Sequence, residues 1–211
     1  LQMMFASDFD RTLIFSKKAL EDYPDMEALD MIPIERKIDE PISFMTKKSY
    51  ELLQEISSKL LFVPVTTRTL EQYNRISLNH MKISYAVTAN GANILFKGRL
   101  LADWNRNIKK ELKENSFKRE ELIFQLQKKF QGIKGELRTV EDLFLYYYLS
   151  DAIQVEMLGE IEEFLIGKGW KLSLQGNKLY FMPTCISKGK AVEFIQDREG
   201  IKTLIGAGDS N

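Results

Sequence analysis

The chain has 211 residues, of which 44% are hydrophobic and 28% are charged, as expected for a globular protein with a substantial buried core. Lys plus Arg and Asp plus Glu are equal at 30 each, so the zero net charge does not favour nucleic acid or an anionic membrane as a partner. A single cysteine, Cys185, excludes an intrachain disulfide, and no apolar run approaches the roughly 20 residues of a membrane-spanning helix. We therefore expect a cytoplasmic protein that acts away from membranes.

The first ninety residues alternate between predicted strands and predicted helices. In chain order they are a strand at 3–7, a helix at 46–58 capped by Thr46, a strand at 60–65, a helix from the capping box at 69–72, and a strand at 83–88. The intervening segment 17–43 carries three prolines and is predicted to be irregular. This alternation is typical of a parallel sheet with crossover helices, in which ligands bind where the strands end.

The middle of the chain follows a different pattern. Its predicted elements are helices within 103–130, two β-rich runs within 137–149, a helix at 154–166 and a hairpin within 170–182. The earlier pattern then resumes with a helix at 187–197 and a strand at 202–207. We therefore predict an α/β core formed by 1–90 and 183–211, with an α+β domain, 91–182, inserted into it.

Two carboxylates, Asp8 and Asp10, stand two residues apart at the end of the first predicted strand. In such a pair, one carboxylate can attack phosphorus while the other gives a proton to the leaving group and later takes one from water. The same spacing also occurs in ordinary turns and in simple metal sites. The pair alone leaves these alternatives open.

Three further polar residues follow predicted strands or begin a predicted helix. The hydroxyl of Thr66 can donate to a phosphoryl oxygen, and a lysine at a helix start, Lys188, can neutralise its charge. Asp209, in a glycine-rich turn, can supply an oxygen ligand to Mg²⁺. Taken singly, each is equally typical of a turn or of a solvated surface residue.

Taken together, these residues form four clusters in chain order: Asp8-x-Asp10-x-Thr12, Thr66, Lys188 and Gly208-Asp209-Ser210. The set resembles the four motifs of the haloacid dehalogenase superfamily. The inserted domain lies between the second and third clusters, and the flanking segments 87–92 and 187–192 are similar to those that border the type II cap. This placement resembles the branch that includes Cof-like, sucrose-phosphatase-like and mannosyl-3-phosphoglycerate-phosphatase-like enzymes.

The resemblance implies a role for each matching residue. Asp8 would be the nucleophile and Asp10 the general acid and base, while Thr66 and Lys188 would hold the phosphoryl group. Mg²⁺ would be bound by the Asp8 carboxylate, the Asp10 backbone carbonyl and Asp209. Further substrate-binding residues would be Thr12, Thr67, Arg68, Asn90 and Gly91, and the inserted domain would act as a cap that excludes water and selects the substrate.

The sequence departs from the family pattern at three places. Arg11 and Thr67 stand where glycine is common, and we expect Arg11 to point into solvent. The family also has a second acidic residue a few positions after the one that matches Asp209, whereas this sequence stops at Asn211. We therefore expect the natural protein to continue beyond this point.

The function predicted from the sequence is magnesium-dependent hydrolysis of a phosphate monoester, with a small phosphorylated metabolite, such as a sugar phosphate, as substrate. A phosphohexomutase of the same superfamily and a non-catalytic binding module that keeps the fold are the alternatives. A catalytic triad or zinc site is disfavoured, because it would have to use His80, the only histidine, alone and without a convincing Ser or Cys partner nearby.

Overall fold

The computed structural model describes residues 3–22, 25 and 30–209, and it divides the chain into two compact units. Unit 1 comprises Leu1–Leu101 together with Lys188–Asn211, and unit 2 comprises Ala102–Ser187. Unit 2 is thus inserted between the two parts of unit 1. The predicted boundaries, after 90 and after 182, fall somewhat earlier in the chain. Among the described residues, no helix combines the length and the apolar character needed to cross a membrane.

Unit 1 contains nine strands and four helices within the described residues. In chain order they are β1 (Met3–Ser7), β2 (Phe15–Ser16), α1 (Lys17–Glu21), β3 (Met31–Lys37), β4 (Glu40–Thr46), α2 (Lys47–Lys59), β5 (Leu61–Pro64), α3 (Leu70–Asn74), β6 (Tyr85–Thr88), β7 (Asn93–Phe96), β8 (Arg99–Leu100), α7 (Lys188–Glu199) and β13 (Thr203–Ala207).

A parallel sheet with the order β13-β1-β5 forms the centre of unit 1. A parallel bridge between Val65, directly after β5, and Val87 in β6 places β6 beside β5, on the side away from β1. The strand β1 is buried along most of its length, and the side chains of Phe62 and Val63 in β5 are fully buried. The predicted parallel sheet is confirmed, and its strands carry the motif residues at their carboxyl ends.

Two helix starts agree with the capping signals in the sequence. The Thr46 side chain accepts a hydrogen bond from the Ser49 backbone N–H and begins α2. Thr69 and Gln72 form a reciprocal capping box at the start of α3. Both predictions are therefore confirmed.

The segment 17–43 differs from the prediction. Instead of being irregular, its described part contains a short helix and most of a three-stranded antiparallel sheet, in the order β2-β4-β3. Pro33 lies in the edge strand β3 and Pro41 near the start of β4, where a missing N–H costs little, so neither proline prevents the pairing. Pro24 lies outside the described residues.

The hairpin of β3 and β4 packs on the main core of unit 1. Ile34 and Met45 from the hairpin are buried in one cluster with Phe9, Leu53 and Phe62. Backbone contacts also join β3 to the end of α3, where Ser77 N donates to the Ile34 carbonyl at 2.7 Å. The hairpin is therefore an integral part of the core.

Unit 2 is an antiparallel sheet with three helices. Its elements are α4 (Ala102–Asn115), α5 (Arg119–Lys129), β9 (Gly135–Val140), β10 (Phe144–Leu149), α6 (Val155–Leu165), β11 (Trp170–Gln175) and β12 (Lys178–Pro183), and the strand order is β11-β12-β10-β9. The predicted α+β composition and the hairpin at 170–182 are confirmed.

Candidate active site

The carboxyl ends of the parallel strands bring the motif residues of unit 1 together. The backbone N–H of Asp8, directly after β1, donates to the Ala207 carbonyl at the end of β13 at 2.9 Å. On the other side of β1, Val65 N donates to the Ser7 carbonyl at 2.8 Å, which places Thr66 beside Asp8 at the end of the next strand. The residues that follow β1, β5 and β13 therefore lie at one edge of the sheet.

The Asp8 carboxylate is paired with Lys188. Lys188 Nζ lies 2.7 Å from Asp8 Oδ2, and the side chains are 27% and 17% exposed, so the pair is largely shielded from water. Asp8 Oδ1 accepts a hydrogen bond from the Phe9 backbone N–H at 2.7 Å. Because Lys188 is the first residue of α7, the helix fixes the cation beside the carboxylate.

The Asp10 carboxylate is held by Arg68 in a two-point ion pair. Arg68 Nε donates to Asp10 Oδ2 at 2.9 Å and Arg68 Nη2 donates to Asp10 Oδ1 at 2.8 Å. This fork geometry fixes both the position and the plane of a carboxylate. In this arrangement the guanidinium of Arg68, which we predicted to bind substrate, contacts protein carboxylates.

A second carboxylate, Glu35, completes the environment of Arg68. Glu35 Oε2 accepts hydrogen bonds from Arg68 Nη1 at 2.7 Å and from Ser43 Oγ at 2.6 Å, and Glu35 Oε1 accepts one from Arg75 Nε at 3.2 Å. The Glu35 side chain is only 2% exposed. Sequence reasoning missed Glu35, because its partners lie far away in the chain and no local pattern marks it.

Hydrogen bonds and opposite charges favour the ionised forms of Glu35 and Arg68. Burial by itself raises the pKa of Glu35, but the hydrogen bonds from Ser43, Arg68 and Arg75 and the charge of Arg68 outweigh it and hold the pKa below its ordinary value. Burial likewise lowers the pKa of Arg68, yet the contacts with Asp10 and Glu35 raise it overall. The cluster is therefore a row of alternating charges, with Arg68 between two carboxylates.

The loop at Thr66 is tied to the turn that follows β6. Thr66 N donates to the Val87 carbonyl at 2.9 Å, Asn90 N donates to the Thr66 carbonyl at 3.0 Å, and Ala89 N donates to the Arg68 carbonyl at 2.7 Å. Asn90, in the 3₁₀ turn Ala89–Gly91, has the left-handed φ of 58°. These bonds place Asn90 and Gly91 next to the fully buried Thr66, whose Oγ1 accepts from Arg68 N at 3.1 Å.

The turn after Asp10 explains one departure from the family pattern. Arg11 has a φ of 62°, a left-handed conformation that favours glycine. Its side chain pairs with Asp22 at 3.1 Å and is half exposed, away from the ion pairs described above. Thr12 follows it, and its buried Oγ1 has no hydrogen-bond partner among the described residues. Thr67 is half-buried between Thr66 and Arg68.

The predicted metal ligands are of the kind that magnesium prefers. Asp209 is exposed and lies two residues after the end of β13. The strand β13 pairs with β1, and Asp8 directly follows β1. Together with the Asp8 carboxylate and the Asp10 backbone carbonyl, it offers only hard oxygen donors. No cluster of three or more His, Cys, Asp or Glu side chains suited to a metal occurs within 3–22, 25 and 30–209. The predicted set has two carboxylates and a carbonyl; Ser210 lies outside the described residues.

Comparison with known proteins identifies relatives by structure. No protein-family model matches the sequence, and neither does any curated protein. A sucrose-phosphatase from Synechocystis, solved with sucrose and phosphate, aligns over 99% of this chain and 75% of its own, with a TM-score of 0.68 and 16% identity.

Two further solved structures are similar. A trehalose-6-phosphate phosphatase from Aspergillus fumigatus aligns over 100% of this chain and 73% of its own, with a TM-score of 0.58 and 13% identity. A phosphatase of the haloalkanoate (HAD) superfamily from Bacteroides thetaiotaomicron aligns over 100% of this chain and 78% of its own, with a TM-score of 0.55 and 12% identity. The predicted α/β core with an inserted α+β domain is thus confirmed as the fold.

Proposed function

We propose that this chain, whose fold is that of the haloacid dehalogenase superfamily phosphatases, hydrolyses a small-molecule phosphate monoester with the help of magnesium. The observation that carries the proposal is the pairing of Asp8 with Lys188 at the carboxyl end of the parallel sheet. The Asp8 side chain is partly accessible, with 17% of its surface exposed, and the adjacent cation belongs to the first residue of a helix.

The first half of the reaction transfers the phosphoryl group to the protein. A carboxylate oxygen of Asp8 attacks phosphorus and forms a new O–P bond, while the bond from phosphorus to the ester oxygen breaks. Asp10 gives a proton to the departing ester oxygen, so the substrate leaves as an alcohol. Lys188 Nζ and the Thr66 hydroxyl hydrogen neutralise the negative charge on the phosphoryl oxygens.

The second half returns the protein to its starting state. Asp10, now ionised, takes a proton from water, and the water oxygen attacks the phosphorus of the aspartyl-phosphate. The bond between phosphorus and Asp8 breaks, and inorganic phosphate leaves. The two-point contact with Arg68 fixes the position and the plane of the Asp10 carboxyl group for this step.

Magnesium is supported by the chemistry of the donor set. The residues that would hold it are Asp8, Asp10 through its backbone carbonyl, and Asp209, all of which offer oxygen. When bound, the ion reduces the repulsion between the Asp8 carboxylate and the anionic phosphate. Asp8, Asp10 and Lys188 are positioned by contacts between residues of the protein.

The proposed substrate class is a sugar phosphate. Two of the structural neighbours are named for the dephosphorylation of sugar phosphates, which supports this class at the level of the fold. Unit 2 is proposed to act as the cap that selects among such substrates, with a small phosphorylated metabolite as the partner and the cytoplasm as the place of action.

The test is phosphate release from a panel of sugar phosphates and an aryl phosphate, with Mg²⁺ or with EDTA. We expect turnover that requires Mg²⁺ and that falls by at least about 10³-fold in the Asp8→Asn variant, because the amide is not a nucleophile. Asp22→Asn, which removes only the exposed partner of Arg11, is the matched control and should retain activity.

Other outcomes separate the alternatives. Phosphate release that is unchanged in Asp8→Asn contradicts the assignment of the nucleophile. Interconversion of hexose phosphates without free phosphate identifies a mutase, and binding without turnover in folded, Mg²⁺-loaded protein identifies a binding module.

A further inference from the structure

We propose that Glu35 is a positioning residue, which holds Arg68 in the orientation in which its guanidinium grips Asp10. The inference deepens the proposed function and rests on it, since it assigns a task to a residue that does not match any of the superfamily motifs. Its basis is a continuous row of hydrogen-bonded charges, Asp10–Arg68–Glu35–Arg75.

All three nitrogens of the Arg68 guanidinium are engaged. Nε and Nη2 donate to Asp10, and Nη1 donates to Glu35 at 2.7 Å. A guanidinium is planar and rigid, so a partner on the third nitrogen fixes the direction in which the other two point. Without Glu35, the fork would be oriented by Asp10 itself and by a long contact, 3.5 Å, from Nη2 to Ser43 Oγ.

Glu35 is more firmly anchored than Asp10. The Glu35 side chain is 2% exposed, whereas the Asp10 side chain is 46% exposed. Ser43 Oγ donates to its Oε2 and Arg75 Nε donates to its Oε1, and the strands β3 and β4 carry Glu35 and Ser43 as register partners. The buried end of the row is therefore Glu35, and the exposed end is Asp10, the carboxylate proposed to move protons.

The geometry matters because proton transfer depends on the position of the carboxylate. A misplacement of about 1 Å can cost about 10²-fold in rate even when the change lies away from the reacting atoms. Arg68 can transmit such a displacement from Glu35 to Asp10, because one planar group contacts both. Glu35 thus acts through Arg68 and does not itself contact the substrate.

Leaving-group dependence provides the first test. An alkyl phosphate needs a proton from Asp10 when its ester bond breaks, whereas a dinitrophenyl phosphate does not, because its leaving oxygen is a stable anion. In Glu35→Gln we expect kcat/KM to fall about 10²-fold for the alkyl ester and much less for the dinitrophenyl ester. The control is Glu71→Gln, which removes the other, 90% exposed carboxylate partner of Arg75 and should leave both values unchanged.

A second readout is independent of turnover. In the wild-type protein the Nε–H of Arg68 donates at 2.9 Å within a largely buried side chain, so its exchange with solvent should be slow by NMR. We expect fast exchange in folded Glu35→Gln and slow exchange in Glu71→Gln.

Equal losses for both esters, or no loss, or unchanged slow exchange in Glu35→Gln would overturn the inference, since Glu35 would then have only a structural role or none. A wild-type protein that hydrolyses no ester contradicts the proposed function. The exchange rate of Arg68 in Glu35→Gln then decides by itself whether Glu35 holds Arg68.

Discussion

At the scale of single residues, the proposed chemistry depends on two ion pairs of different kinds. The pair of Asp8 and Lys188 joins a carboxylate to a point charge, and the pair of Asp10 and Arg68 joins one to a rigid fork. The first places one positive charge beside the carboxylate, and the second fixes the plane of the carboxylate. This difference fits a nucleophile beside a group that moves protons.

The sequence predicted the surroundings of Asp8 better than those of Arg68. Strand ends suffice to bring Asp8 and Thr66 together, because parallel strands finish at one edge, and the predicted helix start places Lys188 at the beginning of α7. The contact of Arg68 with Glu35 joins residues 33 positions apart. Glu35 lies in the hairpin of β3 and β4, and the prolines of this segment had led us to predict an irregular structure. Such a tertiary contact leaves no periodic signal in the sequence.

Removal of the cation beside Asp8 tests its role. Lys188→Met should lower kcat/KM by about 10²- to 10³-fold, because one charged donor to the phosphoryl oxygens is lost. The exposed lysine two positions on in the same helix provides the control, and Lys190→Met should retain activity in the same steady-state assay. Equal effects of the two substitutions would contradict the assignment.

Acid stability tests the ionisation of Glu35. Its pKa in the folded state lies below the ordinary value of 4.5, so its charge stabilises the fold above that value, and this stabilisation disappears as the pH falls through the folded-state pKa. Between about pH 7 and about pH 3, the urea concentration at the unfolding midpoint should therefore fall more steeply in the wild-type protein than in Glu35→Gln. Parallel curves would show that Glu35 is not held ionised by its partners.

At the scale of elements, helix starts were predictable and the hairpin of β3 and β4 was not. Thr46 and the pair of Thr69 and Gln72 act within one turn of the backbone, so local sequence specifies them. Pro33 and Pro41 indicate breaks when considered locally, yet both occupy places where a sheet tolerates proline. These places are recognised only from the pairing of β3 with β4 in the folded protein.

A connection in unit 2 depends on a glycine with little space. Gly169 has a φ of 72°, and a Cβ there would overlap the backbone oxygen of Asn115 and lie 2.8 Å from the Cα of Ser116. Next to it, Trp170 Nε1 donates to the Phe117 carbonyl at 2.8 Å, which joins the end of α4 to the start of β11. The loop between α4 and α5 can thus approach β11 closely only because Gly169 has no side chain.

A pair of glycine substitutions isolates this effect. Gly169→Ala should lower the free energy of unfolding by more than the roughly 1–3 kcal/mol of a strained left-handed residue, because a backbone clash adds to it. Gly167 has nearly the same φ, 73°, but no atom within 4 Å of an added Cβ, so Gly167→Ala shows the strain alone. Equal unfolding midpoints in urea would contradict the close approach.

At the scale of the whole molecule, the fold is shared with phosphatases from which the sequence has diverged widely. A TM-score of 0.68 accompanies 16% identity to the sucrose-phosphatase, while no family model matches. The order of motifs around an inserted domain nevertheless predicted the architecture, because it depends on a few residues at strand ends. The substrate cannot be predicted in this way, since pocket contacts rather than the fold select it.

Metal binding should stabilise the folded protein as a whole. At a Mg²⁺ concentration about 100 times Kd, the stabilisation is about 2.7 kcal/mol, which raises Tm measurably. We expect this shift in the wild-type protein and a reduced one in Asp209→Asn, with Asp151→Asn in unit 2 as the control. Identical shifts in the wild-type protein and Asp209→Asn would contradict the predicted ligand set.

The most direct test of the central claim is to trap the phosphoryl group during turnover. The full chain is mixed with Mg²⁺ and a hydrolysed ester and is quenched in acid within one turnover, and the peptide that carries Asp8 is analysed by mass spectrometry. We predict one added phosphoryl group on Asp8 that hydroxylamine removes, and none in Asp8→Asn. Turnover without any phosphorylated Asp8, or phosphorylation at another residue, would contradict the account.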